Sequence, residues 1–305
     1  MRVVTSLDNY VAEADLLLSI GVFDGVHVGH RSVLERLTHA RRPGAIAGAL
    51  TFQQHPQAFL QPGHAPAAIT TADEKINLLA GCGLDVLFLL PFDGRIQQLE
   101  PQAFLEDMLV KRLRTRLLIV GDQWRFGKGR SGDVGLARRV LNSHGCAFEA
   151  EPLIGRDGEK ISSSRIRELI LRCEFAAADD LLGSPYEVRG IVRTGDGRGH
   201  VLGYPTANLA IASEKLIPPE GVYACQAHHA GKTYTAVTSI GDKPTFGGES
   251  GLTVETYILD FSASIYGEQL TLSRWRYLRA QRRFDSVPAL VTQMAADVAA
   301  AVAGT

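Results

Sequence analysis

Two histidines three residues apart, His27 and His30, stand in the glycine-rich stretch "GVFDGVHVGH" (21–30), directly after the apolar run "LLLSI". Glycines permit a tight strand-to-helix turn there. A helix opening near His30 would offer unpaired N–H groups and its positive dipole end to a phosphate. Both imidazoles can donate hydrogen bonds to such an anion. The stretch lacks the Lys of GxxxxGK[ST], so it is not a P-loop. A second stretch, "ISSSRIREL" (161–169), sets three serines before a helix-like run carrying Arg165 and Arg167. Hydroxyls, free N–H groups and a guanidinium at a helix start suit a polyphosphate tail. Each stretch also has a plain reading: a glycine turn with surface histidines, and a serine N-cap with solvated charges.

The second half of the chain has its own candidates. "GDGRGHVLGYPTANL" (195–209) surrounds Arg198 and His200 with glycines at 195, 197, 199 and 203, and then places Pro205, Thr206 and Asn208. A glycine-rich segment can fold its N–H groups around phosphates. The Thr206 hydroxyl and the Asn208 amide oxygen are donors suited to Mg²⁺. The plain reading is a loop leading into an edge strand. Glu255, in "VETYILDF" (254–261), shares one side of a predicted strand with Tyr257 and Leu259, while Val254 and Thr256 point the other way. A carboxylate among large apolar neighbours suits a pocket better than open solvent. Adjacent His228 and His229 fall at a predicted hairpin end, face opposite sides and are expected to be solvated. Trp124 and Trp275 are read as packing residues.

These residues need elements to hold them. In the first half, "LLLSIGV" (16–22), "AIAGALTF" (45–52), "LDVLFLL" (84–90), "RLLIVG" (116–121) and "AFEAEPL" (147–153) read as buried strands. "RSVLERLTHARR", "TADEKINLLAGCG" and "PQAFLEDMLVKRL" have the spacing of amphipathic helices. Near-continuous apolar strands alternating with helices predict a parallel sheet covered on both faces. At "GSPYEV" (183–188) the pattern changes to β-type segments: "YEVRGIVRT", "GVYACQAHHAG", "KTYTAVTSIG", "TVETYILDF" and "QLTLSRWRYLR". Successive antiparallel strands predict a small barrel. A last helix follows, capped by Ser286 and ended by Gly304.

The chain has 305 residues, which favours two domains. It is 45% hydrophobic and 21% charged with a net charge of −1, which gives no basis for nucleic acid or an anionic membrane as partner. The four cysteines form no metal-like spacing, the first residues do not read as a secretory signal, and no run is long enough to span a membrane. A reducing cytoplasm is the expected setting.

"GVFDGVHVGH", "GDQWRFGKGRSGD" and "ISSSRIR", in that order, resemble the adenylyltransferase domain of bacterial bifunctional riboflavin kinase/FAD synthetases. The "PTAN" segment, "GVYA", "SIGDKPTFG" and "VETYILDF" resemble the riboflavin kinase domain of the same family, so the resemblance spans the chain. It implies a nucleotidyltransferase-type Rossmann-like domain over 1–183 and a β-barrel kinase domain with a terminal helix over 184–305. The implied chemistry is phosphorylation of riboflavin to FMN, then transfer of AMP from ATP to FMN, giving FAD and pyrophosphate.

By that resemblance His27 and His30 hold the α-phosphate region, within an ATP loop that includes Gly21, Phe23, Asp24, Gly25 and Gly29. Ser163, Ser164 and Arg167 hold the β- and γ-phosphates. In the kinase, Glu255 is the general base, Gly197, Gly199, Gly203 and Pro205 belong to the ATP loop, and Thr206 and Asn208 bind Mg²⁺ and the ATP phosphates. Pro56, Gln123, Phe126 and Arg279 are the implied flavin contacts. The chain departs from the family pattern at Gln53 and Gln54 (usually Glu-Pro), at Gln123-Trp124 (usually Asn or Asp, then Phe), and at Cys173-Glu174 (usually Gly-Asp). Thr238-Ser239 and Gln281 are further departures. Two other readings stand beside this one: a paralogue with an active kinase but weak or altered adenylyl transfer, and a flavin-sensing protein without turnover. A nucleotidyltransferase for a lipid or coenzyme A precursor would explain only the HxGH half. Self-association is left undetermined.

Overall fold

The central strands of the first half are apolar on both sides, as a sheet covered on both faces requires. In the computed structural model, which describes residues 1–152, 158, 160–195, 202–243 and 251–304, β2 (Asp15–Ile20), β3 (Ala45–Phe52), β4 (Val86–Leu90), β5 (Thr115–Gly121) and β6 (Ala147–Glu151) occupy the expected runs. A short β1 (Arg2–Val4), not foreseen from the sequence, adds an edge beside β4. The order is β1-β4-β3-β2-β5-β6, and all neighbours run parallel.

Leu16, Leu18 and Ile20 of β2 pack into one apolar cluster with Phe104, Leu105 and Phe148. Leu17 packs into the other with Val33, Leu34 and Leu37 of helix α1 (Val28–His39). Alternate residues thus bury opposite faces. The remaining helices of this half are α2 (Pro56–Leu60), α3 (Ala72–Ala80), α4 (Gly94–Gln97), α5 (Pro101–Ala103) and α6 (Val134–Ser143). Instead of continuing as the expected amphipathic α-helix, α5 passes into a π-helical stretch over Phe104–Arg112. Moving outward from β2, β3 and β4 are laid on one side and β5 and β6 on the other. The crevice between the C-terminal ends of β2 and β5 is therefore the topological switch point, where open α/β sheets take their ligands.

The chain divides by contacts into two compact units, Met1–Ser163 and Ser164–Thr305. Helix α7 (Ser163–Leu171) leads into α8 (Phe175–Leu182), which Gly183 ends in the left-handed conformation at φ 72°. A closed antiparallel barrel follows, in the order β10-β11-β8-β7-β12-β9. Its strands are β7 (Val188–Arg193), β8 (Thr206–Ala210), β9 (Gly221–His229), β10 (Lys232–Lys243), β11 (Gly251–Ile258) and β12 (Gln269–Arg279). Thr206, Ala207 and Asn208 of "PTAN" thus belong to a barrel strand, β8, which lies between β7 and β11 and is not an edge strand, while Pro205 precedes it.

Ala236, Thr238 and Ile240 of β10 and Val254, Thr256 and Ile258 of β11 fill the barrel interior with period two. The hydroxyls of Thr238 and Thr256 pair across the strands at 2.9 Å, and the Cys225 thiol meets Thr238 at 3.2 Å. The β9–β10 hairpin turns on Ala230 and Gly231, both at positive φ, as a two-residue turn of primed type requires. Its histidines are not solvated as expected. His228 bonds Thr233 at 2.9 Å and Ser273 at 2.7 Å, and His229 meets Glu268 at 2.7 Å, because β12 packs alongside. Helix α9 (Val287–Ala303) starts at Ser286, whose hydroxyl accepts the Ala289 N–H, and Gly304 ends it.

Candidate active sites

The turn after β2 departs from ordinary backbone in order to reach α1. Phe23 (φ 50°), Gly25 (φ 81°) and Val26 (φ 39°) all take positive φ. Strain of this kind persists only where the surroundings hold it, and Asp24 is the holder. Its buried carboxylate accepts the N–H groups of Ile69 (3.2 Å) and Thr70 (3.0 Å) and the Thr70 hydroxyl (3.2 Å). Thr70 Oγ1 in turn accepts the Gly25 N–H at 3.0 Å.

His27 is the N-cap of α1: its Nδ1 accepts the His30 N–H at 3.2 Å. With Nδ1 an acceptor, the proton of the neutral ring sits on Nε2, which is left to donate. The two imidazoles stack with centroids 3.6 Å apart. Burial pulls His27 down to about 4, partly offset by the charge of Asp24. His30 is held well below its usual range by burial, then by His27 and Lys75. At neutral pH both rings are uncharged hydrogen-bond donors. His30 Nδ1 is buried with no protein partner among the described residues.

A cavity of about 160 Å³ opens at the β2–β5 switch point. Gly21, Phe23 and His30 line it from one side, and Gln123, Trp124 and Lys160 from the other. The structure therefore brings Gln123 to the histidine loop. Phe126 lies behind, stacked on Trp124 at 4.2 Å and 6% exposed. Trp124 and Lys160 were missed in the sequence; their position, just past a strand's C-terminal end and just before the serines, was the available signal. Ser163 donates to the Asp24 carbonyl at 2.9 Å, which ties that serine to the same loop. Ser164 and Arg167 continue along α7 in the second unit. Gly29 is buried in α1. Pro56 opens α2 and is not among the residues lining this cavity.

In the barrel, Glu255 sits directly opposite Asn208 on the paired β11 and β8, with Tyr257 opposite Thr206. The carboxylate lies on the outer face and lines a cavity of about 270 Å³ with Thr206, Tyr257, Ser239, Arg279 and Gln281. Leu290, Met294 and Val298 of α9 form its apolar wall. Thr206 also borders a second cavity, of about 440 Å³, with Pro205, Ile258 and Phe261. Its residue therefore stands between two spaces.

Arg279 is fixed by Asp297 of α9, with contacts of 2.9 Å from Nε and 2.7 Å from Nη2; Asp297 is 5% exposed. Sequence reasoning missed that carboxylate. A Cβ at Gly195 would run into the Asn208 amide, so glycine is required for Asn208 to sit there. Among the described residues there is no group of three or more His, Cys, Asp or Glu that could hold a metal. Gly203 is in the left-handed region at φ 82°. Gly197 and Gly199, with Arg198, His200 and the end of "IGDKPTF", lie outside the described residues. Burial pushes the Cys146 thiol up to about 11 and Cys225 to about 12, so neither forms a thiolate at neutral pH.

Two separate sites on one chain, one built from neutral donors at a sheet switch point and one from a carboxylate on a barrel, define an enzyme that transfers phosphorus-centred groups in two places. A family model for FAD synthetase matches residues 11–165, and one for riboflavin kinase matches residues 182–304. The bifunctional riboflavin kinase/FMN adenylyltransferase of Escherichia coli K12 is 34% identical over 301 residues, covering 97% of this chain and 96% of that protein. That of Bacillus subtilis is 32% identical, with 93% and 91% covered. A solved Streptococcus pneumoniae structure, described as a macrolide-efflux protein, superposes with a TM-score of 0.84 at 30% identity over 97% of this chain and 96% of that one. Among the described residues here, no helix is long and apolar enough to cross a membrane. The chain belongs to the family of bifunctional riboflavin kinase/FMN adenylyltransferases.

Proposed function

We propose that residues 1–183 carry FMN adenylyl transfer and residues 184–305 carry riboflavin phosphorylation, with the site residues in the roles that follow. The enzyme converts riboflavin and ATP to FMN, and FMN and ATP to FAD and pyrophosphate. Its relatives match both halves end to end, so the FMN-only and sensing readings gain no support.

In the kinase, riboflavin occupies the cavity of about 270 Å³ under α9 and ATP the one of about 440 Å³. Glu255 takes the proton of the ribityl 5′-hydroxyl, whose oxygen forms a bond to the γ-phosphorus as the bond from that phosphorus to the β-phosphate oxygen breaks and ADP leaves. The observation that carries this reading is the β8–β11 register, which sets Glu255 beside Asn208 and Thr206. The Thr206 hydroxyl and Asn208 amide oxygens, held in a pocket that any side chain at residue 195 would fill, fit a Mg²⁺–ATP complex. The ion, when bound, neutralises phosphate charge. Arg279, pinned by Asp297, faces the flavin.

In the adenylyltransferase, His27 and His30 donate hydrogen bonds to the α-phosphate from the helix N-terminus. A phosphate oxygen of FMN forms a bond to the α-phosphorus as the bond to the β-phosphate breaks. That oxygen is already anionic, so no base is needed and positioning carries the step. Ser163, Ser164 and Arg167 take the departing pyrophosphate; Pro56, Gln123 and Phe126 are assigned to the flavin side. The four thiols are unpaired, which suits a reducing, cytoplasmic setting.

Chromatography of products after incubation with riboflavin, ATP and Mg²⁺ tests the scheme. FMN followed by FAD is expected. FMN alone would refute the adenylyl-transfer assignment, and no product from folded protein would refute both.

A further inference from the structure

Lysine is among the residues least often buried, because taking an ammonium out of water is costly without compensation. Lys75 is 5% exposed, in α3. It makes one hydrogen bond, from Nζ to the Phe52 carbonyl at 3.3 Å, and no ion pair with the described residues. An ammonium has three donors, so most of its capacity is unused.

Its location gives that capacity a use. Phe52 ends β3 at the C-terminal edge of the sheet, where the Gly21 N–H bonds Leu50 O (3.1 Å) and Thr51 Oγ1 bonds Val22 O (2.9 Å). The start of α3 is tied to the histidine loop through Thr70 and Asp24. Lys75 lies close enough to His30 and Asp24 for its charge to act on both. Burial lowers the proton affinity of Lys75 itself, and the negative charge of Asp24 works against that shift. Meanwhile the two histidines supply hydrogen bonds but no charge, although the ligand they face is a polyanion. Lys75 lies behind His30 and does not itself line the β2–β5 cavity, whose one lining lysine among the described residues, Lys160, is exposed.

We propose that the Lys75 ammonium is the buried positive charge of the adenylyl-transfer site, holding the ATP phosphates beside His30. The proposal rests on reading the β2–β5 crevice as that site. Lysine here is a phosphate-binding residue on a helix that carries none of the recognised motifs. The competing role is a structural pin joining α3 to β3 through Phe52.

Lys75→Met keeps most of the stem and removes the charge, while Lys75→Arg keeps a charge. Both are made in the full-length chain. FAD formation from supplied FMN is measured against ATP and against FMN, with inorganic pyrophosphate as a competing probe. Riboflavin phosphorylation by the same sample is measured in parallel, and the unfolding midpoint of the first unit is followed separately by Trp124 fluorescence in a Trp275→Phe background. The expected result for Lys75→Met is a roughly 30-fold fall in kcat/KM for ATP and a roughly 10-fold weaker pyrophosphate inhibition. FMN KM should stay within about twofold, and Lys75→Arg should recover most of the loss. Unchanged ATP and pyrophosphate constants in Lys75→Met would overturn the proposal. So would equal losses toward ATP and FMN with a lowered midpoint that arginine does not restore, the signature of a pin. If Lys75→Met does not fold, Lys75→Arg with wild-type stability but unrestored ATP kinetics favours recognition by shape over charge and overturns it too. A wild-type enzyme that makes no FAD would sink the site reading itself, an outcome distinct from each of these.

Discussion

Acidification should unfold the first unit through His27. The ring is 1% exposed, and burial pulls its proton affinity from the ordinary 6.5 down to about 4. Between those values the unfolded chain binds a proton that the folded chain refuses, so stability falls as pH falls and is fully present only above 6.5. At ~1.4 kcal/mol per tenfold in affinity, His27 alone should remove about 2 kcal/mol by pH 5 and about 3 kcal/mol by pH 4. His30 acts in the same direction. The groups around His27 are Asp24, whose charge opposes the effect, and the stacked His30, with Lys75 beyond it. His27→Asn removes the titrating ring and keeps an N-cap acceptor for α1. Urea unfolding followed by Trp124 fluorescence, in a Trp275→Phe background that silences the chain's other tryptophan, reads this unit by itself. The stability difference between pH 7 and pH 5 should shrink by about 2 kcal/mol in His27→Asn. Parallel pH profiles for the two proteins would refute the reasoning, because the ring would then titrate at its ordinary value and could not be the buried neutral donor described.

Other substitutions separate the two activities. Glu255→Gln should slow FMN formation by roughly 10²–10⁴-fold and leave FAD formation from supplied FMN intact, as measured by product chromatography. Gly195→Ala, which drives a methyl group into the Asn208 amide, should cut phosphorylation by at least about tenfold through displaced Mg²⁺–ATP, with a steeper Mg²⁺ requirement as the readout. Asp297→Asn leaves Arg279 without its carboxylate and should cost about 3 kcal/mol, read as a higher riboflavin KM and a lower melting temperature of the barrel. Thr70→Val leaves the Gly25 N–H without its acceptor. That should cost about 1–3 kcal/mol, with the loss appearing in FAD formation and not in FMN formation.

The parallel sheet was legible because strands buried on both faces must be apolar without interruption, as "VLFLL" of β4 is. β1 was not, since three residues of "RVV", mostly exposed, carry no periodic signal. β8 was read only as an edge strand entered from a loop, because Leu209 alone of "TANLA" is buried and the other residues give no apolar alternation. The histidine loop showed itself through local spacing. What holds it did not: Asp24 finds Thr70 only after α3 is docked, far along the chain. Lys75 was invisible for the same reason, because a lysine in an amphipathic helix is by default a solvent-facing residue. Asp297, in an alanine-rich helix, gave no hint that Arg279 would reach it.

The position of β5 beside β2 has a consequence for how the chain emerges during synthesis. β3 and β4 are delivered first and cover one flank of β2, but Leu16–Ile20 keep an open apolar flank until Thr115–Gly121 arrive. A nascent chain stopped before β5 carries an unpaired central strand, the kind of edge that recruits other chains. The crevice proposed for ATP is bordered by that same late strand and by Lys160 after it. On that proposal ATP has no site on a partly made protein, and a first unit shortened anywhere before Thr115 should aggregate on release rather than wait as a stable fragment.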